Sequence, residues 1–452
     1  MSTLADRTSL TEMLPPPARV AVVLAGGGGG PEGLGPRTGT GSSALHQVGG
    51  MPIVERTVRM LLAEGVERVV VIADEDATAV AGAAQRPDKD RVEVLTVDGR
   101  ATTEPRHLAI AEAAVAGEER LVLVSSDVVF TDGALSSLVR SSQPAALVEP
   151  GTGRFAGAFM VGPSMLGALP GIGGDTDGGR AVTEAVWRTA AERGAREVPL
   201  PPGTASLSVA TPEDLPAAGR MLRRSLIKPT DGPVSRYLNR SISTRISMAL
   251  APFRLSPDSI SVVAGILGVA AGWALAWGRG LLGGLLIQAS TIIDGVDGET
   301  SRLQLRSSPR GAAFDAVIDR IVDGSLVAGV ALWLWPFHPS LEFKVGILAS
   351  SAYGWGFISY VFQRRLTGLE VTGQEHSLIM LLGGRDSRLL VLSIGVILYH
   401  PGAAVAVGWA VYLSSVSLRV FLTRRRAGAP PGPVASPDQV GDPAQGDLGE
   451  ER

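Results

Sequence analysis

Long apolar segments dominate the second half of this chain, between about residue 257 and residue 423. A helix needs roughly 20 residues to cross a bilayer. Backbone amides in lipid must pair within their own segment, so such segments form helices. The sequence therefore predicts an all-α domain with six transmembrane helices at residues 257–425. The predicted spans are Ser259–Trp277, Leu281–Ile293 (core only), Ala312–Phe337, Val345–Phe362, Leu389–Tyr399 and Ala403–Leu422.

The first half of the chain has the pattern of a soluble α/β protein. Apolar strands alternate with helical segments, which predicts a doubly wound, mostly parallel sheet at residues 18–225. Residues 1–17 are expected to be a flexible terminus, and the Pro- and Gly-rich residues 426–452 a disordered tail. The principal predicted strands are Arg19–Ala25, Arg68–Ala73, Val92–Val97 and Leu121–Val124, and the predicted helices include Pro52–Glu64 and His107–Ala116.

Residues 226–256 connect the two halves. From Val234 to Leu250, apolar residues recur at helical spacing between arginines, a pattern typical of a helix in the membrane interface. A soluble amphipathic helix is the alternative. The connections after spans two, four and six are rich in arginine, whereas the opposite ones carry only Arg279 and Lys344. The positive-inside rule then places both termini and the α/β domain on the cytosolic side of the cell (inner) membrane.

Four aspartates stand at the predicted cytosolic ends of spans two and three: Asp294, Asp297, Asp315 and Asp319. A carboxylate at the bilayer centre costs about 2.5–3.5 kcal/mol, so these groups must face one another, water or a cation. Spacings of three and four put each pair on one helix face. Oxygen ligands without His or Cys suit Mg²⁺ or Mn²⁺. We expect two such ions, an arrangement that stabilises phosphoryl-transfer transition states.

These aspartates have two other interpretations. They would also form a buried ion network with nearby arginines such as Arg302 and Arg320. An EF-hand loop beginning at Asp294 is excluded, because one of its ligand positions would fall on Val296. Asp323 continues the same face one turn deeper, and we expect it to support the cluster without binding metal.

The spacing resembles the signature of the CDP-alcohol phosphotransferase (CDP-alcohol phosphatidyltransferase) family, Asp-x2-Asp-Gly-x2-Ala-Arg-x8-Gly-x3-Asp-x3-Asp. The resemblance covers roughly residues 228–425, and Ser301 replaces the usual Ala. It implies six spans and metal-dependent transfer of a substituted phosphate from a CDP-alcohol to an acceptor hydroxyl, with release of CMP. A homodimer is also implied, because the family often forms dimers. The matching residues are Asp294, Asp297, Gly298, Arg302, Gly311, Asp315 and Asp319.

The same resemblance assigns roles by position. The four aspartates would bind the metal ions, and Asp319 would also act as base on the acceptor hydroxyl. The remaining motif residues would lie at the nucleotide: Gly298, Ser301, Arg302 and Gly311.

The acceptor is expected to be a polar alcohol phosphate. Basic residues predicted on the cytosolic side would bind its phosphate, although each would serve equally as an anchor at anionic lipid headgroups. The segment Arg385–Arg388 and residues 228–240 resemble the inositol-phosphate-using branch of the family, which favours an inositol phosphate. A net charge of −3 gives no support for nucleic-acid binding. The candidate acceptor residues are Lys228, Arg236, Arg240, Arg364, Arg385 and Arg388.

The run Gly26–Gly30 after the first strand resembles the phosphate loop of sugar-type nucleotidyltransferases, as do Val48–Arg56 and Thr211–Leu215. Backbone amides of such a loop can cradle phosphate. A nucleotidyltransferase-like domain joined to this membrane domain resembles the bifunctional inositol-phosphate cytidylyltransferase and di-myo-inositol-phosphate-phosphate synthases, which make CDP-inositol in one half and use it in the other. The predicted nucleotide site comprises Gly26, Gly27, Gly28 and Asp127.

Residues that this chemistry uses are missing, however. Pro31 and Glu32 stand where the nucleotidyltransferases have Arg, Ser43 where they have Lys, and Ala210 where they have a second Mg²⁺-binding Asp. Without cations that neutralise a triphosphate, transition-state stabilisation falls. We therefore predict a degenerate domain and CDP-diacylglycerol as the donor. An active domain would instead favour CDP-inositol. A transporter, which would spread its charges through several spans, and a non-catalytic membrane scaffold are the remaining alternatives.

Overall fold

The computed structural model describes most of the chain. The described residues are 15–25, 42–73, 76–96, 120–162, 187–188, 191–192, 194–209, 211–228, 231–336, 384–408 and 410. Several predictions fall outside them and stay predictions. These are the loop Gly26–Gly30, the helix His107–Ala116, the span Val345–Phe362, most of the sixth span, Arg364 and both termini.

The described part of the N-terminal half is built on a seven-stranded sheet. Its order is β10-β8-β9-β6-β1-β4-β5, and all neighbours pair in parallel except β9, which is antiparallel to β6 and β8. The prediction of an α/β domain with a mostly parallel sheet is confirmed. The strands are β1 (Val20–Ala25), β2 (Gln47–Val48), β3 (Met51–Pro52), β4 (Arg68–Ala73), β5 (Val92–Thr96), β6 (Leu121–Ser125), β7 (Val128–Phe130), β8 (Ala145–Val148), β9 (Phe155–Val161), β10 (Arg196–Pro199) and β11 (Ser206–Ser208).

Continuous apolar runs explain the central strands. Every residue of β1 and β6 is buried, as expected for parallel strands covered on both faces. One face packs against helices α1 (Ile53–Ala63) and α2 (Ala77–Ala84). The other face carries Phe155, whose ring stacks on Trp187. From β1 the chain continues to β4 and β5 on one side and later returns to β6 on the other, so the strand order reverses at β1. Folds of this kind bind ligands beside the carboxyl ends of the strands at such a reversal.

Two shorter pairings lie beside the sheet. β7 pairs antiparallel with β11, and β2 pairs with β3 through a tight turn at Gly49 and Gly50. Both glycines have positive φ, 62° and 74°, which a two-residue hairpin turn of this kind requires. Helix α1 begins directly after this hairpin.

The rest of the described chain is helical. Four of its helices correspond to the predicted spans one, two, three and five, and most of their ends agree with the prediction to within a few residues. The second span is longer, because its polar end turns towards other helices. The helices are α3 (Ser136–Val139), α4 (Leu215–Ser225), α5 (Arg240–Leu250), α6 (Pro257–Ala276), α7 (Gly280–Leu303), α8 (Pro309–Leu334) and α9 (Arg385–Ile397).

Helix α6 packs against both α7 and α8, and α9 packs against α7. Small residues allow close approach. A side chain at Gly268 would meet Val322 and the Ser290 hydroxyl, and one at Gly272 would meet the backbone of Ser325. Small residues at crossings are typical of membrane helices, where packing has to hold the helices together.

The outer faces of these helices are apolar. Ile266 is 63% exposed, Trp273 67%, Val317 57% and Ile321 52%. Exposed apolar surface on this scale indicates contact with lipid or another protein. Among the described helices, α6 is the one both long and apolar enough to cross a membrane, with 20 residues and a mean hydropathy of 1.9. Helices α7 and α8 are long enough but carry the charged residues of the motif. Six spans stay a prediction.

The predicted interfacial helix Val234–Leu250 is present as a π-helical turn, Ser235–Asn239, that leads into α5. Its buried residues are polar, whereas Tyr237 and Ile242 on the other side are 78% and 42% exposed. This is the reverse of a soluble amphipathic helix and is compatible with an apolar face towards lipid. Helix α4 ends at Ser225. The proposed domain limits stay predictions.

Candidate active site

Three of the four motif aspartates meet between α7 and α8. One carboxylate oxygen each of Asp294, Asp315 and Asp319 lies within 4.8 Å of the others. Asp294 lies on α7, and the other two lie one turn apart on α8. The short connection Gln304–Ser308 joins these two helices, and α6 packs against both of them. We call this group, with Asp297, the acidic cluster.

Asp297 lies at the edge of the acidic cluster. Its carboxylate accepts hydrogen bonds from the Ser261 hydroxyl on α6 and from the Gly298 amide, and it contacts Asp315. Only 6% of Asp297 is exposed. Helix α6 therefore fixes the orientation of Asp297 towards the two aspartates of α8.

Arg385 is the cation closest to the acidic cluster among the described residues. Its Nη1 lies 2.9 Å from Asp319 and 3.4 Å from Asp294, and its Nε lies 3.3 Å from Asp323. Asp323 also pairs with Arg320 at 2.9 Å. Asp323 is therefore held by two arginines, and Arg385 also pairs with two of the four motif aspartates, Asp294 and Asp319.

The donor set fits a divalent cation. The cluster offers carboxylate oxygens and no sulfur or imidazole, which suits Mg²⁺ or Mn²⁺. Asp315 Oδ1 is buried and has no hydrogen-bond donor among the described residues. Four carboxylates also carry more negative charge than Arg385 neutralises by itself, and a cation would balance the excess. The alternative, an ion network with arginines, holds for Asp323, which pairs with Arg320 and Arg385, and Arg385 extends it to Asp294 and Asp319.

Glu299 was missed by the sequence analysis. It is fully buried on α7 and accepts hydrogen bonds from Ser243 Oγ at 2.6 Å, Ser247 Oγ at 2.5 Å and Arg240 Nη1 at 2.8 Å. These partners lie on α5, so Glu299 fastens α5 to α7. The available signal was the spacing Ser243–Ser247, which places two hydroxyls on one helix face.

Arg240 joins several of these elements. It donates to Gly295 O at 3.1 Å, between the two motif aspartates of α7, and pairs with Asp231 at 3.1 Å. Burial by itself would lower the pKa of Arg240, but the Asp231 and Glu299 carboxylates outweigh it, and the pKa is raised. Arg240 therefore stays charged against the backbone of α7.

A second basic group lies beside the cluster. Arg302 Nη2 donates to Leu226 O at 3.0 Å. Burial lowers the pKa of Lys228, Arg302 and Arg240 lower it further, and Asp231 and Asp315 oppose the shift. The Lys228 amide and the Arg240 guanidinium both donate to Asp231, at 2.9 and 3.1 Å. Lys228, Arg240 and Arg302 form a basic rim on one side of the acidic cluster.

The other predicted residues take these positions. Ser301 donates to Ser307 at 3.2 Å, and the Gly311 amide donates to the N-cap Ser308 at 3.0 Å. Arg236 donates to Lys228 O at 3.4 Å. Arg388 lies one turn beyond Arg385 and, with Asp323, lines a cavity between α8 and α9.

In the N-terminal half, Asp127 follows β6 at the edge where β1 also ends, and its carboxylate accepts a hydrogen bond from Ser125. This places Asp127 at the ligand-binding edge expected for the fold. Gly26, Gly27 and Gly28 lie outside the described residues.

Two family models divide the chain. That of the MobA-like NTP transferase domain matches residues 21–192, and that of the CDP-alcohol phosphatidyltransferase matches residues 254–420. A protein from Rubrobacter xylanophilus named bifunctional IPC transferase and DIPP synthase is 31% identical over 422 residues, which are 84% of this chain and 92% of that protein. The chain belongs to the CDP-alcohol phosphatidyltransferase family. It has the two-domain form, in which an NTP-transferase-like domain precedes the phosphatidyltransferase domain.

Shorter similarities cover parts of the chain. A phosphatidylinositol phosphate synthase from Streptomyces avermitilis is 35% identical over 100 residues, 21% of this chain and 41% of that protein. The structure of a Mycobacterium tuberculosis phosphatidylinositol phosphate synthase with CDP-DAG bound covers 42% of this chain and 96% of its own, at 23% identity and a TM-score of 0.33.

The family consists of membrane enzymes that depend on divalent metal ions. The predicted class, a transferase of substituted phosphate groups that uses a CDP-alcohol, is confirmed.

Proposed function

We propose that the acidic cluster binds two Mg²⁺ or Mn²⁺ ions and transfers a substituted phosphate from a CDP-alcohol to a hydroxyl of an inositol phosphate. The observation that supports this most directly is the meeting of Asp294, Asp315 and Asp319 within 4.8 Å. Asp297, held by Ser261, would complete the set of ligands. When bound, the ions would neutralise the pyrophosphate and the charge that develops on it.

In this proposal Asp319 is the base. The acceptor oxygen bonds to the phosphorus that carries the alcohol, the bond from that phosphorus to CMP breaks, and Asp319 takes the hydroxyl proton. Gly298 and Gly311 would let the nucleotide approach α7 and α8 closely, because glycine has no Cβ. Ser301 and Arg302 would line the nucleotide-binding site.

The basic rim supports a phosphorylated acceptor. The Lys228 amide and Arg240 both donate to Asp231, and Arg302 donates to Leu226 O, two residues before Lys228. Arg385 reaches the acidic cluster from α9. Clustered guanidinium and ammonium groups of this kind suit phosphate. Relatives named phosphatidylinositol phosphate synthase favour an inositol phosphate among polar alcohol phosphates. Arg236, Arg364 and Arg388 are further candidates for acceptor binding.

For the donor, we propose CDP-diacylglycerol, because Pro31, Glu32, Ser43 and Ala210 replace residues that a nucleotidyltransferase uses. The second candidate is a bifunctional enzyme whose N-terminal domain makes CDP-inositol from CTP. It is favoured by the Rubrobacter relative, which is named bifunctional and matches this chain through both domains.

We further propose the topology that the arginine distribution indicates: six spans in the cell (inner) membrane, with both termini and the N-terminal domain in the cytosol. The exposed apolar residues of α6, α7 and α8 support lipid contact. We propose a homodimer because members of the family often form dimers. Nucleic acid is not an expected partner.

The test uses the full chain in lipid nanodiscs. CMP release is measured from labelled CDP-diacylglycerol and from CDP-inositol, each with a panel of alcohol phosphates, and the products are identified. Turnover of CDP-diacylglycerol with inositol phosphate alone supports the first proposal. Turnover of CDP-inositol, together with pyrophosphate release from CTP and inositol phosphate, supports the second. No CMP release with either donor refutes both.

A further inference from the structure

The two halves of the chain share a buried apolar cluster. Ile53 at the start of α1 and Leu222 on α4 belong to the N-terminal half, and they pack in one cluster with Ala251 and Leu303 of the helical half. Ala251 stands shortly before α6, and Leu303 is the last residue of α7. The contact therefore falls on the ends of two helices that bear the candidate metal site.

Glu55 on α1 forms the first polar link across this contact. It is fully buried, and Arg254 reaches it with two nitrogens, at 3.1 and 2.8 Å. Arg254 also donates to Gly50 O at 3.2 Å. Burial would raise the pKa of Glu55, but the hydrogen bonds from Arg254 and Arg59 outweigh it and lower the pKa. Because two nitrogens of Arg254 bind the two oxygens of Glu55, this ion pair fixes both the distance and the relative orientation of the two groups.

Arg56, the next residue, forms the second link. It is 2% exposed and donates to Leu303 O at 2.7 Å. The last carbonyls of a helix have no partner within the helix, and a cation at that end is favoured by the helix dipole. Burial lowers the pKa of Arg56 to about 10, which leaves it protonated at neutral pH. The N-terminal domain thus supplies a cap for the end of α7.

The β2–β3 hairpin before α1 packs closely against the same two residues of the helical half, Ala251 and Leu303. A Cβ on Gly50 would overlap the Ala251 carbonyl, and a Cβ on Gly49 would lie 2.8 Å from the Leu303 side chain. Backbone meets backbone here, so the contact tolerates little displacement.

Both links lead to the same aspartate. Arg254 precedes α6 by three residues, and α6 carries Ser261, the hydroxyl donor to Asp297. Leu303 ends α7, which carries Asp297 itself. Adjacent side chains on one helix of the N-terminal domain therefore hold the ends of the two helices whose relative position aligns Ser261 with Asp297.

We propose that α1 of the N-terminal domain is a positioning element of the metal site, and that Glu55 and Arg56 act on it through Arg254 and Leu303. The inference rests on the proposed function, in which the acidic cluster binds metal. It gives the domain a task that does not depend on any nucleotidyltransferase activity of its own. Groups that orient metal ligands from outside typically change metal affinity 10–100-fold when removed.

The experiment measures Mn²⁺ binding to the full chain in nanodiscs by electron paramagnetic resonance, together with the kcat and KM for CMP release. The variants are Glu55→Gln, Arg56→Met, and Arg56→Lys as a conservative rescue. Arg254→Gln breaks the first link from the membrane side, in case a variant of α1 fails to fold. Hydrogen exchange over residues 294–303 reports the end of α7 directly.

Matched controls lie within the N-terminal domain. Arg91→Met removes an arginine that donates to Glu67 O at 3.0 Å, and Glu149→Gln breaks the pair with Arg154 at 2.7 Å. The controls are expected to leave Mn²⁺ binding unchanged. Glu55→Gln, Arg56→Met and Arg254→Gln are expected to raise the Mn²⁺ Kd about tenfold and to speed exchange at the end of α7, with partial recovery in Arg56→Lys.

The outcomes separate the two proposals. If the wild type binds Mn²⁺ and Asp294→Asn abolishes it, but folded link variants bind as tightly as the controls, the positioning role is wrong and the metal site stands. If the wild type binds no Mn²⁺, or Asp294→Asn has no effect, the proposed metal site itself is wrong.

Discussion

Arg385 Nη1 lies 2.9 Å from Asp319 Oδ1, so the proposed base is paired with a cation from another helix. The same nitrogen reaches Asp294 at 3.4 Å. A guanidinium in this position lowers the repulsion between the carboxylates of α7 and α8. It would also repel an incoming cation, so in the proposed function Arg385 and the metal ions would compete for the same negative charge.

This competition predicts the behaviour of Arg385→Gln. Without bound metal the variant should be less stable than the wild type, by up to about 3–5 kcal/mol, because buried carboxylates lose their partner. Mn²⁺ should bind it more tightly, and the rise in melting temperature on adding Mn²⁺ should be larger than in the wild type. Thermal melts with and without Mn²⁺ measure both effects. Equal Mn²⁺ shifts in variant and wild type would contradict the prediction.

Asp319→Asn should abolish CMP release while the protein stays folded. A general base contributes about 10²–10⁴-fold to rate, and the lost ligand charge adds to the defect. Turnover and melting temperature are measured together, with Asp90→Asn on the surface of the N-terminal domain as a control of the same chemical change. Wild-type turnover in Asp319→Asn would remove the assigned base.

EDTA should eliminate activity, and Mg²⁺ or Mn²⁺ should restore it. The acidic cluster contains only carboxylate donors, so Zn²⁺, which favours nitrogen and sulfur, should restore little. CMP release after dialysis against each metal is the measurement. Full activity in EDTA would mean that the carboxylates work without a cation.

The acidic cluster was predictable because residue spacings within single helices indicate it. Spacings of three and four place Asp294 with Asp297, and Asp315 with Asp319, on single helix faces, and apolar surroundings make unpaired carboxylates costly. The doubly wound sheet was predictable for a similar reason, since buried parallel strands such as β1 are continuous apolar runs.

The contacts that join separate elements were not predictable from one sequence. Arg56 and Leu303 are 247 positions apart, and Arg385 is 91 positions from Asp294. Nothing in the local pattern of Glu299 distinguishes a buried anchor from an exposed charge. Such pairs depend on how helices pack, which is decided by the sum of many weak contacts.

Glu299→Gln should loosen α5 from α7. The variant keeps the size of the side chain but leaves Arg240 without one of its two carboxylate partners. The expected loss is about 1–3 kcal/mol of unfolding free energy, with faster hydrogen exchange in α5. Glu213→Gln, on the exposed turn before α4, is the matched control. Equal exchange of α5 in both variants would show that Glu299 does not anchor the helix.

The contact between the two halves should persist at mildly acidic pH. The folded-state pKa of Glu55 lies below its ordinary value of 4.5, so its stabilising contribution is fully present above pH 4.5. It is lost only as pH falls through the lowered folded-state pKa, when Glu55 is protonated and Arg254 loses its partner. Hydrogen exchange of residues 251–256 should therefore be constant from pH 7 to pH 5, after correction for the intrinsic rate, and should rise below pH 4.5. In Glu55→Gln the same residues should exchange fast throughout, without this acid transition. An acid transition of unchanged midpoint and size in Glu55→Gln would assign it to another carboxylate.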